Sequence, residues 1–264
     1  MKQKLLMALT AGVFTLTSSY ALAKNGKIRV GVMTGPEHSI AETAKKIAKE
    51  KYNLEVELIT FTDYVMPNAA LHDKALDANA FQTEPYMDAQ IQDRGYHDFI
   101  IVGHTFVYPL AAYTDKLTSK EEIADKARVA IPNDPSNQGR ALLLLQAEGF
   151  ITLKDPTDLN QTVLDIVENP KDLRIQTLDS NLLARTLDQV DFAVINNNFA
   201  AEAGLTIEKD AIFSEGKDSP YVNLIVARED NKDDEDILNF VKAYNTDEVY
   251  ETAKSQFEAV IKGW

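Results

Sequence analysis

Arg140 is the cation best placed to do chemistry in this chain, because of the residues around it. It lies in Arg128-Val-Ala-Ile-Pro-Asn-Asp-Pro-Ser-Asn-Gln-Gly-Arg-Ala-Leu-Leu-Leu-Leu-Gln-Ala-Glu-Gly149. That stretch reads as a short buried strand (Val129 to Ile131), a tight loop and a helix. Pro132 and Pro135 end the strand, and Asp134 or Ser136 can cap the helix. Gly139 and Arg140 read as its first turn, and Gly149 supplies a left-handed stop. Free backbone N–H groups, the positive end of the helix dipole and one guanidinium together suit a small anion. A carboxylate is the simplest, gripped by two parallel hydrogen bonds. The same residues also make an ordinary capped helix with a surface arginine, and the stretch alone does not choose.

Four other segments put polar and aromatic groups at the end of a strand or the start of a helix. They are Phe61-Thr-Asp-Tyr64, Phe81-Gln-Thr-Glu-Pro-Tyr86, Asn196-Asn-Asn-Phe-Ala200 and Asp218-Ser-Pro-Tyr-Val-Asn223. Each taken alone is also turn chemistry, since Asn and Asp favour turns. Three asparagines directly after a buried strand supply donors and acceptors without charge, which suits a zwitterion. Catalytic and metal signals are weak. His38, His72, His97 and His104 have no metal-ligand spacing, and there is no cysteine. No Gly-x-Ser-x-Gly elbow or phosphate-cradling Gly-x-x-x-x-Gly-Lys occurs, and Gly31 to Gly35 reads as a strand-to-helix turn. The many carboxylates contain no acidic pair singled out by spacing. No catalytic residue, metal or cofactor is expected.

The elements that must position these groups alternate along the chain. Lys27 to Thr34 reads as a strand, Glu37 to Tyr52 as a helix with Ile40, Ala44, Ile47 and Ala48 on one face, and Leu54 to Thr60 as a strand. Strand, helix, strand in about thirty residues is a βαβ unit and implies parallel pairing. Further helices are predicted at 68–77, 84–94, 180–187, 234–244 and 247–262. Further strands are predicted at 78–82, 99–107, 109–113, 173–178, 192–195 and 221–227, with Thr152 to Pro156 a polar loop. Ser119 is read as the cap of a short helix. The predicted fold is α/β, two lobes with a cleft between them, the chain crossing near 107–113 and 220–227. The boundaries are 24–109 plus 221–264 for lobe 1 and 110–220 for lobe 2. Ligands in such folds sit between lobes and at the carboxyl ends of strands.

Residues 1–23 read as a secretory signal peptide: Lys2 and Lys4, an apolar core from Leu5 to Thr17, and a small-residue cleavage site at Ala21-Leu22-Ala23. The mature chain would start at Lys24 in the periplasm. With no cysteine to carry a lipid, no lipid anchor is expected. The formal net charge is −14, and becomes −16 once Lys2 and Lys4 are removed. That argues against nucleic acid and anionic membranes as partners. The acidic run Glu229 to Asp236 reads as a solvated turn into a helix.

Five blocks in order carry a family resemblance: Phe61-Thr-Asp-Tyr-Val-Met-Pro-Asn68, Ala80-Phe-Gln-x-x-Pro-Tyr86, Ile131 to Leu145, Val194-Ile-Asn-Asn-Asn-Phe-Ala200 and Asp218-Ser-Pro-Tyr-Val-Asn-Leu-Ile-Val226. Together they resemble the methionine-binding substrate-binding proteins of bacterial ABC importers, the MetQ/NlpA type, across essentially the whole mature chain. The resemblance implies a type II periplasmic-binding-protein fold and a binding protein, not an enzyme. It implies L-methionine as ligand, a partner permease and ATPase in the inner membrane, and a monomer. It points to Arg140 for the ligand carboxylate, to Asn198 and Asn223, with Asn196 or Asn197 as an alternative, for the polar end, and to Tyr64, Phe81, Thr83 and Tyr86 as walls. Two departures stand out. The family often has His where Thr83 stands, and many members carry a lipidated cysteine. Thr83 leaves room for another apolar amino acid or a methionine-containing dipeptide. A periplasmic hydrolase or isomerase on the same scaffold, and an exported surface antigen, are the competing classes.

Overall fold

The computed structural model describes residues 26–216, 219–257 and 259–264; the signal-peptide reading and Asp218 lie outside them. In chain order the elements are β1 (Lys27–Met33), α1 (Pro36–Tyr52), β2 (Glu55–Phe61), α2 (Met66–His72), β3 (Ala78–Thr83), α3 (Glu84–Arg94), β4 (Phe99–Val107) and β5 (Ala111–Tyr113). There follow β6 (Arg128–Pro132), α4 (Pro135–Ala147), β7 (Thr152–Leu153), β8 (Ile166–Glu168), β9 (Arg174–Leu178) and β10 (Phe192–Ile195). The remainder is α5 (Asn197–Glu202), α6 (Ile207–Asp210), β11 (Ala211–Ser214), β12 (Val222–Arg228), α7 (Glu235–Tyr244), α8 (Asp247–Gln256) and β13 (Ile261–Lys262).

The strands make two principal sheets, ordered β13-β4-β12-β3-β1-β2 and β11-β5-β10-β6-β9. The chain passes between them twice, at residues 108–110 and again between β11 and β12. β1 pairs in parallel with both β2 and β3, as the βαβ pattern requires, whereas β12 runs antiparallel between β3 and β4. The second sheet has the same mixture: β6 is parallel to β9 and β10, while β5 is antiparallel to β10 and β11.

Each sheet buries its own apolar side chains. Val30, Val32, Phe106 and Ile225 of the first meet Ile40, Ala44 and Ile47 of α1 and Phe240 of α7. The three- and four-residue spacing on α1 is therefore its core face. Ile131, Phe192 and Val194 of the second meet Leu142 and Leu145 of α4. A third cluster joins the two sheets, with Met33, Phe81 and Tyr86 against Tyr113, Ile195 and Phe199.

Three predicted elements differ. The last helix ends at Gln256, and Ile261–Lys262 instead pair antiparallel with Val107 and Phe106 on the edge of β4. Over so few residues, apolar spacing does not separate a last helical turn from an edge strand. Gly263 fits there because its N–H donates to the Thr105 carbonyl at 2.8 Å, and a Cβ would come within 2.8 Å of that oxygen. Residues Ser180–Thr186 wind as a 3-10 helix, with Leu183 buried and Leu182 exposed. Thr152–Leu153, read as loop, forms a short antiparallel pair with β8.

Candidate functional site

The site is assembled around α4. Asp134 caps this helix: its Oδ1 accepts from the Asn137 N–H at 2.9 Å and its carbonyl from the Gln138 N–H at 2.8 Å. The cap uses donors that the sequence reading left free for an anion, and Arg140 falls in the second turn, not the first. Gly139 has a packing reason. A Cβ there would lie 2.1 Å from the Leu159 carbonyl oxygen, so only glycine lets the 159–161 segment cross this face.

Arg140 is not on the surface: it is 5% exposed. Its Nε donates to Glu215 Oε1 at 2.7 Å, and Nη2 donates to Glu215 Oε2 at 2.5 Å and to the Tyr108 carbonyl at 3.0 Å. The guanidinium carbon lies 4.3 Å from the centre of the Tyr221 ring. No hydrogen bond of Nη1 to a protein acceptor is seen among the described residues, and Arg140 lines a cavity.

That cavity, about 390 Å³ including its mouth, lies between the two sheets. All eight candidate residues line it: Tyr64, Phe81, Thr83, Tyr86, Arg140, Asn196, Asn198 and Asn223. Tyr64 and Tyr86 come from the starts of α2 and α3, Phe81 and Thr83 from the end of β3, and the asparagines from the β10–α5 junction and β12. Asn223 sits opposite Thr83 in the β12–β3 register. Glu37, Gln82, Tyr108, Asn137 and Asn197 complete the lining.

The aromatic wall is held as a unit. The Tyr64 ring packs on Phe81, Tyr86 and Phe199, with centroids 5.9, 5.8 and 4.9 Å apart. Tyr86 Oη donates to the Tyr64 carbonyl at 2.9 Å, and Tyr64 Oη donates across the cleft to Asn198 Oδ1 at 2.5 Å. Burial pushes both phenols above their ordinary range, so they stay neutral donors. Behind the wall, the Gln82 amide is committed to Asn68 and Asn79 in a buried network. On the other side, Asn196 Nδ2 donates to Asn137 Oδ1 at 2.8 Å.

What the protein leaves unsatisfied is as informative. Glu37 Oε2, Asn196 Oδ1 and Asn198 Nδ2 are buried and have no hydrogen-bond partner. Buried polar atoms are normally paired, and the residues carrying these three all line the one cavity. Burial, with Glu202 nearby, pushes the Glu37 carboxyl up to about 8. Asp134 is also raised by burial, against the hydrogen bonds from Asn137 and Ser180. No cluster of three or more His, Asp or Glu side chains among the described residues could hold a metal.

Residues 28–264 match the NlpA lipoprotein family. The chain belongs to the NlpA lipoprotein family. A probable D-methionine-binding lipoprotein MetQ of Pasteurella multocida is 58% identical over 239 residues, covering 90% of this chain and 86% of that one. A crystal structure of the methionine-binding protein MetQ superposes with a TM-score of 0.89 at 55% identity, covering 91% of this chain and 99% of that chain. A Burkholderia cenocepacia nutrient-binding protein bound to methionine gives 0.87 at 46% identity, covering 90% of this chain and 100% of that chain. The mixed α/β architecture is thus that of methionine-binding proteins of the periplasmic-binding type.

Within this NlpA-family site, the sequence reading missed Glu37, Tyr108 and Asn137. Asn137 lies inside the diagnostic block, one residue past the capping candidates Asp134 and Ser136, and the sequence alone gives it no role of its own. Tyr108 follows β4 where the chain first crosses. Glu37 stands beside Pro36 at the start of α1, where an acid is ordinary helix chemistry, and nothing in the local sequence turns it inward.

Proposed function

We propose that this protein is an extracytoplasmic substrate-binding protein that captures methionine and passes it to an ABC importer. The observation that carries the reading is one cavity lined by an arginine, five asparagines and four aromatic rings, with unpaired amide groups on its wall. In this reading the Arg140 guanidinium takes the ligand carboxylate. Asn196, Asn198 and Asn223 take the polar end, and Tyr64, Phe81 and Tyr86 wall an unbranched thioether, whose polarizable sulfur suits aromatic contact. Thr83, smaller than histidine, leaves space that a water or a longer ligand can fill. The segments 24–109 plus 221–264 and 110–220 act as two lobes closing on the ligand, and no covalent step is involved.

The membrane partners are a permease and an ATPase, and the chain works as a monomer. The apolar N-terminal segment directs export, cleavage follows Ala23, and a chain without cysteine is released into the periplasm unlipidated. Mass spectrometry of the exported protein tests that point: an unmodified N-terminus at Lys24 is expected, and a lipid-modified one contradicts it. The ligand is tested by calorimetry of refolded, ligand-stripped protein against L- and D-methionine, the other common amino acids and methionine-containing dipeptides. Micromolar or tighter binding of methionine is expected. Tight binding of another amino acid with none to methionine refutes the assignment, and turnover of any ligand refutes the binding-protein reading.

A further inference from the structure

We propose that Glu37 is the acceptor for the ligand's α-ammonium group and makes the cavity selective for free amino acids; the inference rests on the amino-acid reading above and deepens it. Gly35, at φ +73°, turns the chain out of β1, and Pro36 starts α1 at once. That geometry carries the Glu37 side chain inward to the cavity wall, where it is 5% exposed. Its Oε2 meets no donor.

The charged and titratable groups facing it do not supply a cation. Glu202, on α5, is held by a hydrogen bond from Thr34 Oγ1, and Tyr64, Tyr108 and Tyr244 are near enough to feel the Glu37 charge. Arg140, the cation of the cavity lining, is engaged by Glu215. A lone buried carboxyl of this kind is costly to ionise, and burial keeps it protonated around neutral pH.

An α-ammonium has the complementary need, with N–H donors and no acceptor. Glu37 Oε2 and Asn196 Oδ1 are the two buried acceptors on the cavity lining that have no partner. With the carboxylate on Arg140 and the ammonium between Glu37 and Asn196, a zwitterion meets one group of opposite charge at each end. As the ammonium enters, the Glu37 O–H proton passes to solvent, leaving a carboxylate paired with a cation. A ligand with hydroxyl in place of ammonium gains no ion pair there.

The test compares methionine with its 2-hydroxy analogue by calorimetry, on wild-type protein and Glu37→Gln. Wild type is expected to prefer methionine. Glu37→Gln is expected to lose roughly thirtyfold on methionine, the effect typical of truncating one partner of a buried charge pair, and little on the hydroxy acid. Equal affinity of wild type for both ligands overturns the inference, as does an unchanged preference in a folded Glu37→Gln. A measurement on wild type alone guards against a variant that fails to fold. In two buffers of different ionisation enthalpy near pH 7, methionine should release a proton and the hydroxy acid should not. No buffer dependence for methionine overturns the inference while leaving the proposed function intact. Absence of any methionine binding by wild type withdraws both.

Discussion

Arg140 and Glu215 form a two-point ion pair that ties helix α4 to the segment joining β11 to β12. The same guanidinium holds the Tyr108 carbonyl, and Glu215 Oε2 also accepts from the Leu110 N–H at 3.0 Å. One side chain therefore grips both places where the chain passes between the sheets. A ligand carboxylate on Arg140 must share the guanidinium with Glu215 or displace it, which couples binding to the crossing segments.

Truncation at this pair should show two separable losses. Removing one partner of a buried ion pair typically costs about 3–5 kcal/mol of stability, because the other charge is left unpaired. Arg140→Ala is expected to fall in that range by urea denaturation and to lose ligand affinity as well. Adding Glu215→Gln should return part of the stability and none of the affinity. Arg140→Lys should rescue neither in full, since a point charge does not reproduce the two-pronged contact. Wild-type affinity in Arg140→Ala would place the anchor elsewhere.

The Tyr64 to Asn198 bond bridges the cleft, so its loss should act on how long the closed form lasts. Tyr64→Phe keeps the ring contacts but leaves Asn198 with no hydrogen-bond partner for either side-chain atom. An unmet buried polar group costs about 1–3 kcal/mol. Stopped-flow dissociation is expected to be faster by roughly fivefold or more, with a smaller change in association rate. A change confined to association would show that the bond does not hold the closed state.

Much of this site was legible from types and spacing, because ligand-facing side chains sit at strand ends and helix starts, where turn residues betray the boundary. Arg140 and the run Asn196 to Asn198 were found that way, and β1–α1–β2 followed from a period-2 to period-3.6 switch. Glu215 was not legible. Its link to Arg140 spans 75 residues and is made by tertiary packing, which no local pattern encodes. β13 was hidden for the same reason: its backbone partners on β4 lie far away in sequence.

Gly139 and Gly149 should respond differently to alanine. At Gly139 the new Cβ meets the Leu159 carbonyl at 2.1 Å, backbone that cannot swing aside. Overpacking of this kind costs about 1–3 kcal/mol, and relief by shifting α4 would move Arg140. Gly139→Ala is expected to lose stability and affinity together. At Gly149 nothing lies within 4 Å, but φ is +78°. Gly149→Ala should lose about 1 kcal/mol through backbone strain and bind normally. Normal binding by Gly139→Ala would show that α4 yields without disturbing the site.

Glu37 should make ligand-free stability fall as the pH rises. Its ordinary value is 4.5 and burial raises it to about 8 in the folded chain. Between those values the folded state holds a proton that the unfolded state has lost, so stability declines with pH. The slope approaches about 1.4 kcal/mol per pH unit where the difference is a whole proton. Below the unfolded value the group is neutral in both states and contributes no slope. Above the folded value it is ionised in both, and the cost of the buried charge is fully present and level. Asp134, also raised by burial, adds the same sign at the acid end. Asp155 and Asp165, lowered by hydrogen bonds from threonines, have the opposite sign and act at acid pH. Urea denaturation of wild type and Glu37→Gln from about pH 5 to about pH 9 isolates the Glu37 part as a difference. That difference should fall steadily and level off above about pH 8. A flat difference would mean that Glu37 is already ionised at the acid end of the range, with a cation close enough to hold it so.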